Sequence, residues 1–322
     1  MEMRGNSTGG PAIRSILVPV DGSEFGHTAL AWAVPIARGT NARLHLVHVR
    51  AGGAHRADDE EERKYLDAVA EEACQALGES VSFAVVDAPG VFSALPAQPR
   101  SAVAGALCDY AERHLVGLAV MATHGRRGLG RAWLGSVADG IVRHGGSPVL
   151  LVRPGEETSV ATHRIRNAIV VLDGTFAGER VLNAALEVAG PGARYTLLRV
   201  VPPQLVSTSP YTPPVPAVNS PQVEAARRAA MEYLERTAAR LRTREVEVVT
   251  GTVVAASDES GARAFADVTG SDLVALKAPG LDRATVSLLA PSRSLLLYPT
   301  RLAERAAEPQ RAPRPLAIPT PA

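Results

Sequence analysis

The chain carries one pattern twice. Residues 15–23 read SILVPVDGS, and residues 167–175 read NAIVVLDGT. Each is a short apolar run with β-branched residues, ended by an aspartate (Asp21, Asp173), then a glycine and a hydroxyl residue. Other segments repeat in the same order. NARLHLVHV (41–49) is answered by GARYTLLRVV (192–201) with a one-residue adjustment, and GLAVMATHG (117–125) by DLVALKAPG (272–280). The offset is about 150 residues, the length of a domain rather than of a solenoid repeat, so a tandem pair of one folding unit is expected.

Within the first unit, SILVPV (15–20), RLHLVHV (43–49), VSFAVV (81–86), GLAVMA (117–122) and PVLLVRP (148–154) read as buried strands. Helical patterns lie between them. The first places Leu30, Ala33, Val34 and Ala37 on one face, with Ser23 as its N-cap and Pro35 expected to kink it. The next places Tyr65, Val69, Ala73 and Leu77 on one face. Two more are expected over 102–114 and 135–143. Strands alternating with helices at this spacing predict an α/β fold of two tandem doubly wound parallel-sheet domains, with the second copy degenerate. The domains span 13–154 and 165–300, joined by a linker near 155–164. In the second, a helix carrying Leu182, Ala185, Leu186 and Ala189 follows Asp173. The Pro-rich segment 202–222 is expected to be an extended loop leading into a long helix over 223–242, and SLLLYP (294–299) is the last strand. Residues 301–322 form a Pro-rich tail expected to be disordered.

Composition narrows the function. Lys plus Arg is 34 against 33 for Asp plus Glu, which gives no long-range pull toward nucleic acid or an anionic membrane. Hydrophobic residues make up 46% but aromatics only 4%, so the cores must be built from Ala, Val and Leu. The two cysteines, Cys74 and Cys108, form neither a metal pair nor a disulfide framework and are expected reduced on helices. No run of eighteen apolar residues occurs, and MEMRGNSTGGPAIR lacks a signal-peptide core, so a cytoplasmic location is expected.

In open parallel sheets, ligands bind beyond the carboxyl ends of the strands, where strand order reverses. Asp21 ends the first strand and Val49 the second, and residues 122–136 follow the fourth and open a helix. That segment holds Gly125, Gly128, Gly130 and Gly135 before Ser136, so its backbone can approach a ligand closely. A helix N-terminus supplies unpaired N–H groups suited to phosphate. The bland alternative is a tight strand-to-helix turn with Asp21 as a cap. The convergence of separate segments on one sheet end favours a nucleotide.

VPVDGS, LVHV and MATHGRRGLGRAWLGSVADGIVRHGGSPVLLV together resemble the universal stress protein family. The resemblance covers nearly all of 13–154 and, more weakly, 165–300, and it implies the adenine nucleotide alpha hydrolase-like form of the fold. The family's ATP motif is a glycine, two residues, a glycine, nine residues, then Gly-Ser or Gly-Thr. Here Gly125 is followed by nine residues and Gly135-Ser136, while Ala122 stands at the first glycine. The resemblance implies ATP as the ligand, with Mg or Mn. Val20, Asp21 and Val49 would frame adenine and ribose. Met121 and Ala122 would line the sugar. Gly125, Gly135, Ser136 and Val137 would hold the triphosphate. His124 has no acid or nucleophile beside it in the sequence and reads as structural, and Arg126, Arg127 and Arg131 read as solvated.

The second copy is expected not to bind ATP. Ala290-Pro291 replaces Gly135-Ser136, and Pro291 has no N–H to donate. About ten residues are missing before the last strand, and Lys277 stands at Ala122's position with a charge that can fill the space. Domains of the family pair through their last strands, so an intramolecular pseudo-dimer through PVLLVRP and SLLLYP is expected, with a homodimer of whole chains left open. No general base with an orienting partner is visible, so a nucleotide-sensing stress protein with at most weak hydrolysis is expected. The alternatives are a scaffold with a vestigial site and an adenylyl transferase. The lone His27 in DGSEFGHTA argues against the transferase.

Overall fold

The computed structural model describes residues 13–21, 23–50, 59–88, 102–123, 136–153, 164–175, 178–207, 213–243, 246–290 and 292–300. Gly125, Gly135, His124, the three loop arginines, Pro291 and the 301–322 tail lie outside them. The first copy runs β1 (Ser15–Val20), α1 (Glu24–Thr40), β2 (Arg43–Arg50), α2 (Asp59–Leu77), β3 (Val81–Asp87), α3 (Ala102–Arg113), β4 (Leu118–Ala122), α4 (Ser136–His144) and β5 (Val149–Val152). The second runs β6 (Asn167–Val171), α5 (Glu179–Ala189), β7 (Arg194–Val201), β8 (Gln204–Val206), β9 (Val215–Ala217), α6 (Pro221–Arg242), β10 (Val248–Val254), α7 (Asp258–Thr269), β11 (Leu273–Ala278), α8 (Arg283–Val286) and β12 (Ser294–Pro299).

Ten strands form one sheet in the order β10-β7-β6-β11-β12-β5-β4-β1-β2-β3. Within this sheet every pairing inside a copy is parallel, as buried apolar runs joined by helical crossovers require. The seam between copies is antiparallel, with Leu295, Leu296 and Leu297 opposite Leu151, Leu150 and Val149. All six side chains are fully buried. The last strands of the two copies thus cover each other's apolar edges.

Helices lie on both faces. The α1 residues Leu30, Ala33, Val34 and Ala37 pack on one side with Val69 and Ala73 of α2, Leu182 and Ala185 of α5, and Leu234 of α6. Leu107 of α3, Ile141 of α4, Ala262 of α7 and Val286 of α8 pack on the other. Each layer draws on both copies, so the copies share their cores rather than touching through a rim. Pro35 lies inside α1, which continues to Thr40.

Some elements depart from the expected pattern. Part of the Pro-rich segment is not simply extended: β8 and β9 pair antiparallel in a sheet of their own. The strand β10 and helix α7 complete the second copy, with α7 opened by a Ser257–Ser260 capping box and closed by Gly270 at φ 65°. Between β11 and β12 the helix α8 has four residues, where α4 has nine. Both cysteines are free, Cys74 exposed on α2 and Cys108 half-buried on α3.

Candidate functional site

The strand order of the first copy reverses between β1 and β4, with β2 on the other side of β1. The carboxyl ends of these three neighbouring strands bring together Val20-Asp21, Val49 and Met121-Ala122. Val20 and Met121 are buried in the two core layers, so their backbone rather than their side chains is available there. Val49 and Ala122 are partly buried, and Asp21 is exposed. Ser136 is exposed at the first position of α4, and Val137 packs partly against the core layer that also holds Met121. Gly125 and Gly135, in the segment that links β4 to α4, lie outside the described residues.

The turn after β1 is fastened from several sides. Asp21 Oδ1 accepts from the Ser23 amide at 3.1 Å and its hydroxyl at 2.5 Å, a turn that aspartate is suited to make. Tyr65 of α2 donates its hydroxyl to the Ser23 carbonyl at 2.5 Å. A Cβ on Gly26 would lie 2.5 Å from that phenolic oxygen, so a larger residue there would displace the Tyr65 hydroxyl. Burial, then the nearby Asp21 and Glu72 charges, push the Tyr65 hydroxyl up to about 12, so it stays a donor at neutral pH. His48 Nδ1 stands 2.9 Å from the Val20 carbonyl oxygen and therefore carries the proton on that nitrogen. His27 Nδ1 lies 3.1 Å from Glu72 Oε2 on the same side of α1.

The second copy repeats this architecture between β6 and β11, and fills it. Asp173 Oδ1 accepts from the Thr175 amide at 3.0 Å and hydroxyl at 2.6 Å, the same turn as at Asp21. Its other oxygen takes Lys277 Nζ at 2.5 Å. Lys277 lies opposite Tyr298, as Ala122 lies opposite Val152, so the two residues hold equivalent positions. Arg199 takes the role of His48: its Nη1 donates to the Leu172 carbonyl at 2.9 Å. Its guanidinium also covers Gly174, whose φ of 77° suits glycine. Burial works to raise the Asp173 carboxyl, but the hydrogen bonds from Lys277 and Thr175 outweigh it and hold the group below the ordinary carboxylate value. Burial first, and then Glu259, keep the neighbouring Asp258 above that value.

Sequence reasoning placed Tyr65 only on an apolar helix face, and it missed the hydrogen-bonding roles of Tyr65, His48 and Arg199. Each acts on a backbone carbonyl, a partner that no side-chain pattern in the sequence marks. The signal available was positional, since His48 and Arg199 share a place in the repeat.

Among the described residues, no group of three or more His, Cys, Asp or Glu side chains could hold a metal, and no helix is long and apolar enough to cross a membrane. No curated protein matches the sequence. The chain is similar in structure to a putative universal stress protein from Pseudomonas aeruginosa, with a TM-score of 0.58 at 15% identity over 92% of this chain and 99% of that one. It is similar also to a universal stress protein from Archaeoglobus fulgidus, with a TM-score of 0.55 at 13% identity over 88% and 95%. Identities this low speak to the fold. The sequence pattern of the Universal stress protein family matches residues 12–153 and again residues 164–292. The chain therefore belongs to the universal stress protein family and carries its domain twice in tandem.

Proposed function

We propose that the first copy binds ATP at the carboxyl end of its sheet and that the second copy does not. The observation that carries this is the contrast at one position. Lys277 places an ammonium on Asp173, whereas Ala122 leaves only a methyl beside the end of β1. Among the described residues, the Asp21 carboxylate is held by the neutral amide and hydroxyl of Ser23. Exposed and fixed, it can accept the hydroxyls of a ribose. At the ends of β1 and β2, Val20 and Val49 would frame an adenine, Val20 with its carbonyl already held by His48. The α4 N-terminus at Ser136, together with Gly125, Gly135 and Val137 from the sequence pattern, supplies amides for the phosphates. A Mg or Mn ion would come with the phosphates, which carry the oxygens such ions prefer.

This reading makes the protein a nucleotide-responsive binding module in the cytoplasm, with hydrolysis slow at most. Mass spectrometry of the nucleotide released on denaturing the purified chain tests it, paired with calorimetric titration by Mg-ATP. The expected result is one ATP site per chain. A chain that carries no nucleotide and gives no heat with millimolar Mg-ATP would leave the scaffold reading instead.

A further inference from the structure

The helix that opens at Ser136 also reaches the second copy. Asp139, one turn in, accepts the backbone N–H of Leu281 on Oδ1 at 3.0 Å. The same carboxylate receives Arg143 Nε at 2.8 Å on each oxygen. Arg143 in turn lies over Gly280, where a Cβ would come within 2.6 Å of its guanidinium carbon. Asp282 adds to the hold, its charge supporting the Arg143 cation after that of Asp139. On its other side α4 is pressed against α3, where a Cβ on Gly140 would lie 2.6 Å from the Ala104 Cβ.

The segment 280–282 aligns in the repeat with the start of the first copy's glycine-rich loop. In the second copy it leads into only the four residues of α8, which Asp282 caps through the Thr285 amide at 2.7 Å. Released from building a phosphate site of its own, it rests on α4 of the other copy.

We propose that the second copy braces the first copy's phosphate helix, which makes Asp139, Arg143 and Gly280 positioning residues for nucleotide binding. The inference rests on the reading that the first copy binds ATP. Amides at a helix N-terminus stabilise a phosphate only where they are held in place, and small displacements are costly. Adenine and ribose, by contrast, meet the ends of β1 and β2, which α4 does not carry. Loosening the brace should therefore act on the triphosphate and spare the nucleoside.

Calorimetric titration of the full chain with Mg-ATP and with adenosine tests this in Gly280→Ala, Asp139→Ala and Asp139→Asn. Gly280 does not occupy the left-handed region, so alanine there displaces the guanidinium without straining its own backbone. Gly280→Ala and Asp139→Ala should weaken ATP about threefold to tenfold. Adenosine should stay within about twofold of wild type. Asp139→Asn, which keeps an oxygen for the Leu281 N–H, should stay closer to wild type than Asp139→Ala. Hydrogen exchange across 136–144 should quicken in the two alanine variants. Wild-type ATP affinity in both alanine variants overturns the brace while the ATP reading stands. So does a parallel loss of ATP and adenosine. A wild-type chain that binds neither ligand removes the ATP reading and the brace together.

Discussion

Lys277 Nζ meets Asp173 Oδ2 at 2.5 Å across the two strands that part in the second copy, and Ala122 occupies the equivalent place in the first. One fold thus presents the same terminal aspartate twice, and among the described residues a lysine meets it in the second copy alone.

That pair gives the second copy a pH signature. The Asp173 carboxyl sits below its ordinary value in the folded chain, so its contribution is present above the unfolded value and lost as pH falls through the folded one. Lys277→Met should cost about 1 kcal/mol at neutral pH, the pair being partly open to solvent. The gap between variant and wild type should narrow below about pH 4. Urea midpoints followed downward from pH 7 check this, and a gap that does not change with pH would contradict it.

The two aspartates should differ in function although they share a turn. Asp21→Ala should weaken Mg-ATP binding by about tenfold or more, through lost hydrogen bonds to the sugar. Asp173→Ala should leave ATP affinity within about twofold, yet lower the melting temperature because it strands the Lys277 charge. Calorimetry and thermal melts on both variants separate the effects. Equal losses of affinity would mean that the copies are not functionally distinct.

Two neighbouring helical glycines should respond in opposite directions. Gly140→Ala drives a methyl into Ala104 and should cost about 1–3 kcal/mol. Gly105→Ala, on α3, meets nothing within 4 Å and should gain about 0.5–1 kcal/mol from helix propensity. Chemical denaturation of the two variants reads both signs in one experiment.

The seam predicts cooperation between copies. Leu296→Ala, at the centre of the antiparallel pairing, should cost about 2–5 kcal/mol. Because both core layers are shared, hydrogen exchange should rise in β1 and α1 as well as in the second copy. Exchange confined to the second copy would show that the halves unfold independently.

Much of this architecture is legible because its signals are local. The runs before Asp21 and Asp173 are short, β-branched and bounded by Asp-Gly, so β1 and β6 declare themselves. The pairing of β8 with β9 does not, since three exposed or half-buried residues with Pro216 among them carry no strand pattern. In β10, Gly251 interrupts the run and most side chains are only half-buried, so the alternation is weak. Lys277 could be aligned with Ala122 from sequence, but its ion pair spans 104 residues and exists only because the topology sets β11 beside β6. The ties from Tyr65 and His48 end on main-chain oxygens, which every residue possesses and no pattern reveals.

The antiparallel seam also decides what the outside world can meet. Strands on either side of it point in opposite directions, so the carboxyl ends that carry Asp21 and Asp173 lie at opposite margins of the sheet, and one small visitor cannot bridge them. With β5 and β12 hydrogen-bonded to each other, the sheet edges left among the described residues are β3 and β10.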